Sequence, residues 1–329
     1  MNNNSEFNHL LHEAGEIFHI LMYGFFISLI PAISTALYFF GIGAFISFAV
    51  AISACLLFDY LITKYFLAEK YNFKQSGIYV NAILLAFCLP SHIPFWIIIF
   101  GALVVVGLTK IHFHNFTNVF HPVMMAWLLL DWVFPIQMHI YPLPLVSRLS
   151  YPDAQTGITL LESYKNAMLN NMPISTLAVH TKDILDLVFG FRTGSLGEIS
   201  AIALILGGFY LIAKKFVNWI VPFSTLLSFA IAAVVLNFYK PNVYPSLLFQ
   251  LLTGSILFVA FFIATDSKIT PDKTMDKVIL GIGIGLLTIF FRCFTTVVEG
   301  TAYSVLIMNL IMHLMNESRL MLHKTKKAA

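Results

Sequence analysis

Charge is scarce in this chain. Only 11% of its 329 residues are Asp, Glu, Lys or Arg, while 59% are hydrophobic. A soluble domain carries about 25% charged and about 45–50% apolar residues, so the composition excludes a soluble globular protein and predicts an integral membrane one in contact with lipid. The formal net charge of +3 is too small for a nucleic-acid-binding surface, and no nucleic-acid partner is expected. Polar sequence is nearly confined to one long segment, roughly residues 137–195, which leaves too little for a second soluble domain.

Cysteine is equally sparse. Cys55, Cys88 and Cys293 sit singly inside apolar runs, without CxxC or Cys/His spacing. They are expected to act as small buried hydrophobes, and they exclude an iron–sulfur cluster held by this chain, which needs about four thiolates. The first 16 residues lack the basic start and small-residue cleavage site of a signal peptide, so they are read as a retained polar tail. No zinc or helical i, i+4 metal pair is formed by His112, His114 and His121, which are expected at the surface.

What remains is apolar sequence in lengths suited to a bilayer. A helix needs about 20 apolar residues to cross about 30 Å of hydrocarbon. Before the polar segment the candidates are residues 17–40, 42–62, 78–90, 93–108 and 119–134. After it they are residues 199–213, 216–236, 246–264, 278–291 and 301–315. Gly41 alone separates the first two, which predicts an antiparallel hairpin. The third is short, at 1.5 Å per residue reaching about 20 Å, and reads as a partial helix or one that borrows the turn Gln75-Ser76-Gly77.

The expected fold is therefore all-α and integral to the membrane, about ten helices in two five-helix halves. An odd number of spans per half inverts the second half, and inverted repeats with interrupted helices build sites near mid-membrane. The domain reading is a cytoplasmic tail (1–16), a first half (17–136), an outer loop (137–195), a second half (196–316) and a basic cytoplasmic tail (317–329). With the N-terminus inside, Lys64, Lys70, Lys74, Lys110, Lys214, Lys215, Lys268, Lys273 and Lys277 are cytoplasmic, together with Arg319, Lys324, Lys326 and Lys327. Arg148, Lys165, Lys182, Arg192, Lys240 and Arg292 fall outside. This excess of inner basic residues sets the orientation and puts Thr159 on the outer face, periplasmic in a bacterial inner membrane.

The polar loop contains Asp153-Ala154-Gln155-Thr156-Gly157-Ile158-Thr159. It resembles the flavin-attachment motif Asp-x-x-Ser/Thr-Gly-Ala-Thr, with Ile158 where the motif has alanine. In that motif a flavin transferase joins the phosphate of FMN to the last threonine. Such an acceptor calls for a hydroxyl on an exposed, adaptable segment, and glycine two residues earlier lets the backbone turn.

The resemblance extends over most of the chain to the RnfD/NqrB family, which unites an Rnf-complex membrane protein with its sister in the sodium-pumping NADH:quinone reductase. Gly194-Ser195-Leu196-Gly197-Glu198-Ile199-Ser200 is similar to the family's Gly-Ser-x-Gly-Glu-x-Ser segment, and Phe261-Phe-Ile-Ala-Thr-Asp266 to its Phe-Phe-Met-Ala-Thr-Asp. Gly281 to Gly285, Arg292, Glu299-Gly300 and Met308-Asn309 follow in the family's order. The family's Gly-Gly-Leu-Gly-x-Asn-x-Phe-Asn-Pro run stands here without its glycines, at residues 113–122. The shorter length favours the Rnf branch.

The resemblance implies a urea-transporter-like bundle and FMN joined covalently to Thr159, with Asp153, Thr156 and Gly157 completing the motif. Ser195, Gly197 and Glu198 are expected at the cofactor or a partner, and Thr193 or Ser195 could cap the sixth span. Relatives also hold a noncovalent riboflavin, for which no residue is assigned. The implied role is an electron relay in an Rnf-type ion-translocating oxidoreductase, coupling ferredoxin and NAD to ion transport with Rnf subunits A, B, C, E and G. This chain alone would catalyse no complete reaction. The competing readings are a urea-transporter-like channel without redox work and a structural scaffold with a dead flavin site. A simple channel, however, has no reason to display the motif.

Ionisable groups within hydrocarbon usually mark a pathway. Asp59, Asp131, Asp266 and Glu299 are the candidates for an ion route. For Asp266, Arg292 and Glu299, at span ends, snorkelling to the interface is the simpler expectation.

Overall fold

The structure, a computed structural model, describes residues 3–68, 71–110, 119–146, 148–149, 151, 155–170, 172, 181–267 and 269–328. The first half begins with α1 (Asn3–Phe40) and α2 (Ile42–Leu61), joined at Gly41, and α2 runs on into a wider π turn, Ile62–Phe66. Next come α3 (Phe73–Ser76), α4 (Ile78–Phe87), α5 (Phe95–Lys110), α6 (Pro122–Val133) and α7 (Pro135–Met138). The polar segment folds as a two-stranded ribbon, β1 (Tyr141–Pro142) against β2 (Thr156–Gly157), followed by α8 (Leu160–Leu169) and α9 (Thr181–Phe189). The second half holds α10 (Ala201–Ala213), α11 (Ile220–Tyr239), α12 (Leu247–Leu252), α13 (Ile256–Phe258) with a π turn Val259–Ile263, α14 (Thr274–Phe294) and α15 (Thr301–Ala328).

Among the described residues, four helices are long and apolar enough to cross a membrane: Glu16–Phe40 within α1, Ile42–Phe66, α11 and α14. Shorter apolar helices are α4, α5, α6 and α10. Among the described residues, strand is confined to the small β1–β2 ribbon. The first helix takes in the polar start as well as the first predicted span, and the last continues through the basic end.

Lipid is as apolar as leucine, so helices in a membrane associate through close packing of small residues. The α11–α14 pair is built this way. Ser224 and Ser228 face Gly281 and Gly285, and a side chain on Gly285 would meet the Thr225 carbonyl at 2.5 Å and the Phe229 amide nitrogen at 2.9 Å. Ser228 Oγ also reaches the Ile282 carbonyl at 3.3 Å. The main core lies between α2, α4, α5, α6 and the broken α12–α13 segment, with α4 buried on nearly every face.

At two places a glycine with left-handed backbone separates one helix from the next. Gly77 (φ +59°) separates α3 from α4, and Gly254 (φ +71°) separates α12 from α13. Only glycine enters that region at little cost. The first break agrees with the short third span read from sequence. The second falls inside residues 246–264, where an unbroken span was expected. Here the Ser255 amide bonds to a distant carboxylate instead of a carbonyl one turn back, so the interruption is held by side chains from elsewhere.

Gly285→Val should push α14 off the backbone of α11. Overpacking of this kind costs about 1–3 kcal/mol, to be read as a lower thermal midpoint in detergent, while Gly107→Val, where open space surrounds the glycine, should change little.

Candidate functional site

Thr159 is the N-cap of α8: its backbone is extended (φ −72°, ψ 156°) and its Oγ1 accepts the Glu162 amide at 3.1 Å. A threonine followed three residues later by glutamate is the capping-box pattern, which explains why a helix starts here. The helix docks through Leu161 and Tyr164, both buried, with Tyr164 edge-on to Phe249 at 6.2 Å. Buried Lys165 adds a bond from its Nζ to the Arg292 carbonyl at 2.8 Å.

The approach to Thr159 is also fixed. Gly157 pairs with Tyr141 in the ribbon, and Thr193 Oγ1 donates to the Ile158 carbonyl at 2.8 Å. Gly157 is needed for space rather than for a left-handed turn: a Cβ there would press on Leu143 at 3.1 Å and Thr193 at 3.3 Å. The acceptor was expected on an exposed, adaptable segment. Instead Thr159 is only 9% exposed, and the exposed neighbour is Ile158 at 58%.

Thr159 faces a cavity of about 240 Å³. Trp127, Tyr141 and Tyr303 give it aromatic walls, and Asp131, His139, Arg192, Glu198 and Glu299 give it charge. These residues come from α6, the polar segment after α7, the stretch before α10, the stretch before α15 and the first turn of α15, which the fold gathers at the α12–α13 break.

Glu299 holds that break together. Ser255 donates its amide to Oε1 at 2.9 Å and its hydroxyl to Oε2 at 2.6 Å, and Thr301 Oγ1 donates to Oε2 at 2.9 Å. The carboxylate thus satisfies the first amide of a helix start, where negative charge is favoured. Arg292 lies 3.4 Å from Glu299 and donates to the Gln250 carbonyl at 2.8 Å. Arg192 donates to the Leu252 carbonyl, so two guanidinium groups satisfy the last carbonyls of α12. Arg292 is fully buried with its cation 5.3 Å from the Phe229 ring. Snorkelling is therefore not what Arg292 and Glu299 do: the broken helix offers them partners inside the protein.

The other charges also carry partners. Asp59 is fully buried, 3.1 Å from Lys110 Nζ, and accepts from Ser76 Oγ at 2.5 Å. Asp266 lies 3.3 Å from His121 Nε2, and Asp131 lies 3.0 Å from His139 Nε2. His121 is fully buried, not the surface residue expected, because it packs at the start of α6 against Asp266. Asp153, His112, His114 and residues 113–118 of the 113–122 run lie outside the described residues.

The structure brings Thr159, Glu198, Asp131 and Glu299 to one cavity and keeps Asp59 and Asp266 away from it. Ser195 lines a small adjoining space with Cys88, Glu198 and Glu299. Gly197 packs on the end of α4, its amide donating to the Phe87 carbonyl at 2.8 Å, and a side chain there would strike that residue. Thr156 is exposed in β2. Neither Thr193 nor Ser195 caps α10. Ser200 does, accepting the Ala203 amide at 3.4 Å. Arg192, His139, Trp127, Tyr141 and Tyr303 were not singled out in the sequence. Arg192 had one usable signal, its place two residues before the Gly194 segment.

Replacing Glu299 by leucine leaves Arg292 buried and uncompensated. Breaking one partner of a buried pair costs about 3–5 kcal/mol, so Glu299→Leu should lower the thermal midpoint far more than Ser255→Ala. His139 has its pKa raised above the ordinary histidine value by the hydrogen bond to Asp131, burial opposing. A raised folded value means its stabilising contribution is full below the unfolded pKa, about 6.5, and lost as pH rises through the folded one. The stability difference between wild type and Asp131→Asn should accordingly shrink on going from pH 6 to alkaline pH, measured as thermal midpoint against pH.

The chain matches the family model described as NQR2, RnfD, RnfE family over residues 10–320. It is 32% identical over 292 residues to the D subunit of the Na(+)-translocating ferredoxin:NAD(+) oxidoreductase complex of Acetobacterium woodii, covering 88% of this chain and 85% of that protein. It is 32% identical over 253 residues to the D subunit of the ion-translocating oxidoreductase complex of Halorhodospira halophila, covering 71% of each. With that protein's counterpart in Actinobacillus succinogenes it shares 27% over 333 residues, covering 92% of this chain and 93% of the other. These matches and the long apolar helices make it a multi-pass membrane protein, and the chain belongs to the NQR2, RnfD, RnfE family.

Proposed function

We propose that this protein is the membrane flavoprotein subunit of an Rnf-type ion-translocating oxidoreductase, carrying FMN joined through its phosphate to Thr159. The observation that carries the reading is the placement of the Thr159 hydroxyl at the wall of a cavity lined by Trp127, Tyr141 and Tyr303. The residues fit a flavin: a hydroxyl for the link, aromatic rings for stacking, and fixed charges around them. When bound, the flavin supplies the electron transfer, while the protein supplies position and electrostatics. Trp127, Tyr141 and Tyr303 orient the ring and keep water from it. Glu299, held on both oxygens, keeps the floor rigid. Rnf subunits A, B, C, E and G are the proposed partners, with a flavin transferase for maturation, and a noncovalent riboflavin belongs to the same reading.

The proposed architecture is ten spans in two halves, the second inverted because each half has an odd number of spans. N- and C-termini then lie in the cytoplasm of a bacterial inner membrane and Thr159 in the periplasm, as the basic residues require. Asp59, Asp131, Asp266 and Glu299 remain the proposed ion route. Each is paired, with Lys110, His139, His121 and Arg292 in turn, so a passing cation must compete with a protein side chain at each step.

Co-expression with a flavin transferase should give in-gel flavin fluorescence and an FMN mass on the Thr159 peptide, both lost in Thr159→Val. An unmodified wild-type peptide sinks the proposal. Fluorescence that survives Thr159→Val moves the acceptor elsewhere.

A further inference from the structure

The N-terminus of α8 opens into the cavity: Thr159, Leu160, Leu161 and Glu162 all line it. Its first amides have no intrahelical partner, as at every helix start, and the Thr159 hydroxyl takes up only that of Glu162. With the amides comes the positive end of a ten-residue helix. Helix starts of this kind favour phosphate, but a helix start alone would mark nothing.

The second observation is Arg192. It is 8% exposed and lines the same cavity. One Nη donates to the Leu252 carbonyl, yet Nε, also buried, has no hydrogen-bond partner. A buried unpaired donor is costly, and capping α12 does not require it. Backbone geometry brings this residue to the acceptor: the adjacent Thr193 hydroxyl is bonded to the Ile158 carbonyl at 2.8 Å, next to Thr159.

Charge accounts for the rest. The anionic residues at the cavity are Asp131, Glu162, Glu198 and Glu299. Asp131 is taken by His139, which also feels Glu162; Glu299 is taken by Ser255, Thr301 and Arg292; and Glu198, like Glu299, acts on the charge of Arg192. Any further anion entering at Thr159 therefore meets a negative surround, relieved at that point by Arg192 and by the helix start. Glu162 Oε2 is itself buried without a partner, and an anion at the cap would displace this side chain from the helix start.

We propose that the α8 N-terminus and the Arg192 guanidinium form the phosphodiester site of the covalent flavin. The inference rests on the reading that Thr159 carries FMN. The non-bridging phosphate oxygens accept from the Leu161 amide on one side and from Arg192 Nε on the other. Arg192 is a positioning residue: it fixes the linker, and through it the ring. A lysine keeps the charge without the planar fork of donors.

The test uses the full chain loaded with FMN by a flavin transferase and purified in detergent. The ³¹P resonance of the wild-type phosphodiester should be displaced from that of the proteolysed flavopeptide bearing Thr159. Arg192→Gln should abolish most of that displacement and make the linkage at least roughly tenfold more sensitive to a phosphodiesterase, and Arg192→Lys should fall between. A purely structural Arg192 would leave the ³¹P resonance in place, and a wild-type resonance in loaded Arg192→Gln overturns the assignment while leaving FMN at Thr159 standing. A wild type without FMN on Thr159 overturns both. If Arg192→Gln does not fold, ¹⁵N-arginine labelling of the wild type decides: one Nε–H resonance should move downfield between the chain made without transferase and the loaded chain, and an unmoved set overturns the site.

Discussion

A helix broken inside an apolar bundle leaves amides and carbonyls without partners, and hydrocarbon offers none. The interruption at Thr253-Gly254-Ser255 is such a break, and the surroundings of the cavity are arranged around it. Glu299 satisfies the start of α13, while Arg292 and Arg192 satisfy the end of α12. Because the three come from different parts of the chain, this one break ties the approach to α10, the end of α14 and the approach to α15 to a common point. Lys165 extends the tie to α8 through the Arg292 carbonyl.

The cavity follows from the same arrangement. A continuous helix would fill the space with side chains, whereas a break held by charged groups leaves room bounded by rings and fixed charges. Each carboxylate with a place in the proposed ion route is matched by a lysine, arginine or histidine neighbour, so the acids stand in local pairs rather than bare. Such pairs add little net stability but are costly to disrupt singly. That property suits a device in which a moving cation competes with a protein side chain.

Much of this could be read from the residues. Runs of apolar sequence located the apolar helices, though α1 begins in the polar start and α15 runs on through the basic end; Gly41 marked the first turn, and Gly77 marked the shortened third helix. The threonine of the motif and Glu198 were placed in one functional region before any contact was visible. Other expectations failed for identifiable reasons. Arg292 and Glu299 sit near helix ends in the sequence, where snorkelling is usual, and only the folded neighbour α12 turns them inward. His121 is one of three histidines within ten positions, so it resembles a surface group until Asp266 is seen beside it. Arg192 carried no periodicity of its own, and its role depends on the Leu252 carbonyl, sixty positions further along the chain.

The sequence by itself determined the membrane character, the helical fold and the location of the motif, since these depend on composition, local spacing and short-range order. It also contained the T-x-x-E pattern that makes Thr159 a helix cap. Tertiary structure decided that this threonine is nearly buried, which rings and charges face it, and which partner each acid takes. Those outcomes hinge on distances between residues as far apart in the chain as Lys165 and Arg292, 127 positions. A pattern of near neighbours along the chain holds no information about which distant donor will come within hydrogen-bonding reach.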